Sequence, residues 1–465
     1  MIVSNAQDTQ IFGRDQTLFT CSVRRITRFG HNLVNLPDYN GQVDGDVTFT
    51  VPRSGDLVIA AWFHCVIPGI AGVNGPLATA DDEVSTDHPH YCEGFGHFLL
   101  NKVCLEIGGT TICECYSHML KIWDELTCKP GRRVANQSLV LTGDTVDDLV
   151  RYSRYARRLI VSLDAITFLN HQPCLGLPLV SIPFHTTKIR VTLNQLVDGI
   201  VNLNKNDNPT IIRPGQSIKD YEQQSSYDGF LVDLHNSSAI STAKQLTSST
   251  RNSSIGEDRL EPHITVKYIL LDKEERAAMA KRQGSYLIQQ WQQQLMKSIT
   301  GTTLYKDQIS LSHPMSSMFW VVLLDDNKQA NKRMTYNGYY DDNGATFLPP
   351  VAEYNLYFNN SPIFEHAGTG NQDQVWFSHI HNFTNVPHNG NQAKFINVYS
   401  ASLSPEDTTQ PTGSLNLSKI DSVHMYAQPQ KSLFKDASSE SAELFVFVRS
   451  YNVLRVANGM AGLEY

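Results

Sequence analysis

Period-two alternation of apolar and polar residues recurs along both halves of the chain. It confines the fold to strands that rest one face on a core. Val47, Phe49 and Val51 alternate with polar neighbours, as do Val103, Leu105 and Ile107, then Ile189, Val191 and Leu193, then Ile264, Val266 and Tyr268. The runs Met318 to Leu324, Phe395 to Tyr399 and Leu444 to Val448 continue the series. Between them fall Asn40-Gly41, Gly108-Gly109, Asn337-Gly338, Asn343-Gly344 and Asn389-Gly390, dipeptides that accept the left-handed backbone of tight turns. Many short strands joined in this way predict an all-β or mostly-β chain of sandwiches or barrels.

Two segments change period. Tyr116, Met119, Leu120, Trp123 and Leu126 recur at three and four residues, which predicts a helix of about three turns with one apolar stripe. A second helix is predicted from Asp272 to Ser298. Asp272 followed three residues later by Glu275 resembles a capping box, and Leu287, Ile288, Trp291 and Leu295 would form its buried face, with the Gln-rich stretch outward.

The chain has 465 residues, 41% of them hydrophobic, enough to bury more than one core. Residues 203–226 are polar, with Pro and Gly and little apolar pattern, and the domain boundary is expected there. The expected division is an N-terminal arm (1–25), a first unit (26–212), a linker (213–226) and a second unit (227–465), with the Ser/Thr/Asn-rich stretch 236–258 a long loop. Each unit has the size of one eight-stranded sandwich with loops and a helix.

A net charge of −8 argues against a chain whose main work is neutralising nucleic-acid phosphates. Arg24, Arg25 and Arg28, and Arg151, Arg154, Arg157 and Arg158, are local basic spots; in this background they read as solvated or interface surface. All eight cysteines (Cys21, Cys65, Cys92, Cys104, Cys113, Cys115, Cys128, Cys174) lie in the first 174 residues. With no signal-peptide pattern in MIVSNAQDTQ, the expectation is free thiols in a reducing cytosol. The most apolar stretch, Leu57 to Val73, is interrupted by His64, Pro68 and two glycines and reads as buried strand.

The residues give little support to catalysis or metal binding, and no catalytic, cofactor-binding or metal-ligating residue is assigned. Cys113, Cys115 and His118 lack a clear fourth ligand for zinc. His379 and His381 would share one face of a strand, again without an identifiable third ligand. Gly94-Phe95-Gly96 lacks the third glycine of a dinucleotide fingerprint. The acidic runs Asp81-Asp82-Glu83, Asp147-Asp148 and Asp341-Asp342 read as solvated loops rather than paired glycosidase carboxylates. The sequons at Asn136, Asn236, Asn252, Asn359, Asn382 and Asn416 fall in Asn/Ser-rich stretches where they arise by chance.

Several stretches, in order, resemble the major capsid protein family of the nucleocytoplasmic large DNA viruses. VTFTVPRSGDLVIAAWFHCVIP (47–68) is similar to that family's strand, Arg-x-Gly-Asp-Leu, strand opening. GFGHFLLNKVCLEIGGTTI (94–112) and KIWDELT (121–127) are similar to its strand, Gly-Gly hairpin and Trp-containing helix. VKYILLDKEERAAMAKRQGSYLIQQ (266–290), SASLSPEDTTQPTGSLNLSKIDSV (400–423) and RSYNVLRVANGMAGLEY (449–465) continue the family order. Within the family, length and general look favour a marseillevirus-like member.

The resemblance implies two tandem eight-stranded jelly rolls with short helices between strands. It also implies a homotrimer that forms pseudo-hexagonal capsomers tiling a large icosahedral shell. Its partners would be neighbouring capsomers and minor capsid proteins beneath the shell, with an internal viral membrane contacted indirectly, no sequence-specific nucleic acid and no cofactor. The location implied is the virion, after assembly in the host cytoplasm. On the same resemblance residues 325–375 are expected as an exposed tower loop, and the arm 1–25 beneath the capsomer. The competing expectations are a carbohydrate-binding or carbohydrate-active β-sandwich and a metal-binding module on Cys113, Cys115 and His118.

Overall fold

The alternating segments fold into face-to-face sheets, twice over. The computed structural model describes residues 26–37, 46–67, 69–71, 90–143, 146–153, 157–201, 210–212, 262–295, 299–300, 304–336, 349–368, 371–383, 385, 388–389, 392–430 and 441–464. In the first sandwich the strands are β1 (Phe29–Pro37), β2 (Asp46–Val51), β3 (Leu57–Ile67), β4 (Leu100–Ile107), β5 (Thr110–Tyr116), β6 (Arg157–Ser162), β7 (Thr187–Leu193) and β8 (His263–Leu271). They pair as β1-β8-β3-β6 and β2-β7-β4-β5.

The second sandwich comprises β9 (Gly284–Leu295), β10 (Tyr305–Gln308), β11 (Pro314–Leu324), β12 (Val351–Phe358), β13 (Ser361–Gly368), β14 (Asn397–Ser400), β15 (Val423–Pro429) and β16 (Ser441–Ala457). They pair as β9-β16-β11-β14 and β10-β15-β12-β13. Numbered afresh within each sandwich, both have the sheet orders 1-8-3-6 and 2-7-4-5, with antiparallel neighbours throughout. Each is an eight-stranded jelly roll.

Even the hairpin between the fourth and fifth strands repeats. Gly108-Gly109 turns it in the first roll at φ of 60° and 87°, and Asn359-Asn360 in the second at 49° and 62°. Gly and Asn are the residues that tolerate this left-handed region. The pairs at 40–41, 337–338 and 343–344 lie outside the described residues, as does Gly390.

Short helices interrupt the strands: α1 (Phe95–Leu99), α2 (Ser117–Thr127), α3 (Pro130–Leu139), α4 (Val146–Ser153), α5 (Lys273–Lys281), α6 (Asp325–Gln329) and α7 (Asn371–Ile380). Helix α2 carries the expected stripe, with Met119, Leu120, Trp123 and Leu126 all buried. The second predicted helix is only partly helical. Asp272 does cap α5, accepting the Lys273 backbone N–H at 2.7 Å, but the helix stops at Lys281 and β9 begins at Gly284. The spacing of Leu287, Ile288, Trp291 and Leu295 suggests a helix, yet these residues lie on a strand: Leu287 is exposed, Ile288 and Trp291 are buried, and the glutamines between them pair with β16.

Two other expectations change. Strand β8 follows the expected linker, yet it lies between β1 and β3 of the first roll, so the chain returns to finish that roll before starting the second. The expected tower loop 325–375 contains α6, the hairpin β12–β13 and the start of α7. Val351, Tyr354, Leu356 and Phe358 of β12 are core residues of the second roll.

The two rolls do not have separate cores. On β11, Met318, Trp320, Val322 and Leu324 point into the second roll's interior, while Phe319, Val321 and Leu323 belong to a cluster continuous with the first roll. On β16, Leu444, Val446 and Val448 face inward, and Phe445 and Phe447 face the first roll. A sheet covered on both sides needs apolar residues on both, which is why Met318 to Leu324 is an unbroken apolar run.

Candidate functional site: the junction between the rolls and its exposed counterpart

The first roll meets the outward face of β9-β16-β11-β14 through α2, β5 and the segment after β6. At the centre, the Arg449 guanidinium of β16 lies 3.7 Å from the Trp123 ring centroid of α2 and 5.8 Å from that of Trp291 on β9. The indoles meet edge to face at 5.8 Å, and Trp291 Nε1 donates to the Ala165 carbonyl at 2.9 Å. Arg449 is 3% exposed and its Nε and Nη1 have no hydrogen-bond partner. Burial lowers its pKa to about 10, and the aromatic faces supply much of what stabilises the charge there. Gln290 donates to the Ile112 carbonyl of β5 at 2.5 Å, and Thr167 donates to the Gln289 carbonyl.

Beside this stack lies a buried charge cluster drawn from both rolls. Lys121 of α2 donates to the Met334 carbonyl at 2.6 Å and stands 3.4 Å from Glu93. Lys394 reaches Glu93 at 2.9 Å and Glu125 at 2.5 Å. Burial alone would raise the Glu93 pKa, but Lys121 and Lys394 hold it down to about 2. For Lys394 burial opposes the ammonium, and Glu125 and Glu93 outweigh it, so its pKa is raised. Removing one member of such a buried set costs several kcal/mol, because the remaining charge loses its partner.

The residues weighed for metal or catalysis sit in packed surroundings. Cys113 and Cys115 are buried on one face of β5, their thiol pKa values raised by burial. His118 turns away to Tyr336, its Nδ1 2.9 Å from the hydroxyl, and packs 5.0 Å from the Phe445 ring. Burial first, then Lys121 and Lys328, lowers its pKa to about 4. Among the described residues no group of three or more His, Cys, Asp or Glu is arranged to hold a metal.

His379 and His381 are not on a strand. His379 lies exposed in the last turn of α7, and His381 follows the helix, edge-on to Tyr399. Gly94 caps α1 in the left-handed conformation. Asp148 lies on α4; the runs at 81–83 and 341–342, and Asn236 and Asn252, lie outside the described residues. Asn136 is buried, its Nδ2 donating to Asp124 at 2.8 Å. Of the basic spots, Arg157 lies 4.7 Å over the Tyr152 ring and Arg158 Nη2 lies 2.9 Å from His263 Nε2. Arg24, Arg25 and Arg154 are outside the described residues.

The equivalent sheet of the first roll, β1-β8-β3-β6, leaves its outward face exposed along β1 and half-buried at Lys267, Thr265, His263 and Trp62. Phe29 and Leu33 of β1 are 59% and 57% exposed. His64 and His263 stack at 4.7 Å with rings nearly parallel, and Thr265 Oγ1 lies 2.9 Å from His64 Nε2. Burial first, then His263 and Arg158, lowers the His64 pKa to about 4. On the second roll, α7 exposes Trp376 (60%) and Ile380 (42%). Sequence reasoning missed these surfaces, because nothing in one sequence distinguishes an exposed tryptophan from a buried one.

Two family models match the chain. One, described as the large eukaryotic DNA virus major capsid protein, matches residues 275–462, and one described as the major capsid protein N-terminus matches 17–241. The major capsid protein of Pyramimonas orientalis virus is 25% identical over 477 residues, covering 100% of this chain and 98% of its own length. That of Paramecium bursaria Chlorella virus 1 is 25% identical over 502 residues, with the same coverage. The chain's fold is similar to that in the quasi-atomic model of the PBCV-1 virus capsid, with a TM-score of 0.65 at 20% identity, covering 97% of this chain and 100% of that one. It is also similar to the Faustovirus major capsid protein, with a TM-score of 0.64 at 12% identity, covering 98% and 94%.

Proposed function

The chain belongs to the major capsid protein family of large eukaryotic DNA viruses, and from that premise we propose that three copies form a ring-shaped capsomer. It is a structural protein of a large icosahedral virion and not an enzyme. The single observation that carries the trimer is the repeated topology: two rolls with identical sheet orders sit side by side in one chain. Three chains would then present six similar rolls in a nearly hexagonal outline, the shape that tiles an icosahedral lattice. The intra-chain junction supports the same reading, since the first roll already packs on the outer sheet of the second through α2 and β5.

The finer parts of the proposal follow from this arrangement. Contacts within the capsomer would each exceed about 1,000 Å², as stable interfaces do, and contacts between capsomers would be weaker. Minor capsid proteins would bind beneath the shell, the N-terminal arm 1–25 among their contacts. The domain division is proposed as a first roll from 26 to 271, including the 202–262 excursion, and a second from 284 onward. Assembly in the host cytoplasm and a marseillevirus-like branch complete the reading. Light scattering on a size-exclusion column tests its core: a mass of three times 52.1 kDa supports the capsomer. A folded monomer at every concentration would refute it.

A further inference from the structure

The junction inside the chain has an unfilled counterpart outside it. In both rolls the third strand bulges against the eighth by one residue. On β11 and β16, Ser317 faces Arg449 and Met315 faces Ser450, leaving Ser316 as the extra residue. On β3 and β8, Ala60 faces Lys267 and Val58 faces Tyr268, leaving Ile59 extra. The shared bulge fixes the alignment of the two sheets, and Lys267 takes the position of Arg449. Across the sheet Arg449 faces Trp291 and Lys267 faces Leu33. By the same register Trp62 stands where Phe319 does, and His263 where Phe445 does.

The group that fills the junction repeats as well. Trp123 lies on the helix that follows the fifth strand of the first roll, and Trp376 on the helix that follows the fifth strand of the second. Trp123 is 6% exposed and Trp376 is 60% exposed. Among the described residues, one chain therefore carries a cation-and-apolar seat with no helix-borne indole on it, and an exposed indole on the matching helix.

We propose that these are the two halves of one contact: α7 of a neighbouring copy docks on the outward face of β1-β8-β3-β6, its Trp376 resting on Lys267 and Leu33. This rests on the trimer reading and specifies which surfaces make the ring. Charge agrees with it, because the seat carries Lys267, Arg158 and His263, whereas Asp373, exposed and one turn before Trp376 on α7, brings a carboxylate beside the incoming tryptophan. The contact is heterologous, the same two unlike patches meeting at each step, and such contacts form rings when the rotation closes. On the trimer reading, closure comes after three copies.

Cross-linking tests the geometry directly. In a background of Cys21→Ser and Cys174→Ser, the double variant Leu33→Cys with Trp376→Cys is treated with a short bismaleimide and run on a denaturing gel. The expected result is covalent dimer and trimer, absent from either single-cysteine variant. In parallel, Trp376→Ala and Lys267→Glu should leave the melting temperature of the monomer unchanged. Each should raise the protein concentration at which half the chains are trimeric by about tenfold or more, as loss of a central indole contact does. If unmodified protein has trimer mass but the double variant gives no ladder and neither substitution weakens assembly, this docking is wrong while the trimer stands. If unmodified protein never assembles, the trimer reading fails and the docking with it.

Discussion

Phe319, Phe445 and Phe447 on the second roll hold the positions that Trp62, His263 and Thr265 hold on the first. The backbone under them is the same sheet with the same bulge, but the chemistry differs. The first set is buried for good, because the roll it contacts is part of the same chain. The second set is on a free surface, where Trp62 is half-buried and paired with His171 and two histidines replace apolar residues. A contact formed within one chain can be as apolar as a core. One that must stay soluble before meeting a partner keeps polar and charged groups around a small apolar centre.

The equivalent pair Phe319 and Trp62 gives the sharpest test. Phe319→Ala should cost about 3–5 kcal/mol of unfolding free energy in denaturant titration, as large-to-small core changes do. Trp62→Ala should cost under about 1 kcal/mol in the monomer, in the range of surface changes. Equal losses would mean that the two faces are not different in kind.

The charge cluster comes next in size. Lys121→Met should cost about 3 kcal/mol, since Glu93 then loses one of two buried cations. Lys102→Met, which breaks the partly exposed pair with Glu114, should cost under about 1 kcal/mol. If the two melt alike, the cluster does not hold the rolls together.

Acid should weaken both faces alike. His118 at the junction and His64 on the free face are both held neutral, each with its pKa lowered from 6.5 to about 4. Protonation then favours the unfolded chain, so stability is full above pH 6.5 and falls as the pH drops from there toward 4. Melting temperatures followed over this range should decline, and His118→Gln should flatten the decline. An unchanged slope in that variant would remove His118 from the account.

The smallest effect concerns the repeated hairpin. Gly109→Ala should cost about 1 kcal/mol from backbone strain alone, because φ is 87° and a methyl there meets nothing within 4 Å. Asn360→Gly at the matching turn should gain up to about 1 kcal/mol in the same melts. A loss on Asn360→Gly would show that the Asn side chain stabilises the turn itself.

Much of this architecture was legible in the sequence. Val47, Phe49 and Val51, and Ile189, Val191 and Leu193, alternate because one face meets the core and the other is turned toward water. The α2 stripe is plain for the same reason. Strand β9 was misread because it serves two surfaces: Ile288 and Trp291 are both buried although only three residues apart, and that spacing suggests a helix. The neighbours of β8 are not legible in the same way, because alternation identifies a strand and says nothing of what it pairs with. The cluster of Glu93, Lys121, Glu125 and Lys394 left no local trace, since Lys121 and Lys394 are far apart in sequence and each resembles an ordinary surface lysine. The match between Lys267 and Arg449 lies in strand register, which only the paired backbones reveal.

Strand β16 has a consequence for how the protein is made. It is the last long strand of the chain, yet it lies between β9 and β11 in the sheet that joins the rolls. Until the ribosome has released residues 441–457, that sheet lacks its middle, and Trp291, Phe319 and the neighbouring aromatics stay in water. The first roll likewise waits for β8, more than 50 residues after β7 has been translated. A nascent chain therefore carries an open first sandwich until β8 emerges and then an open second one until β16 does, and through both intervals it needs protection from aggregation.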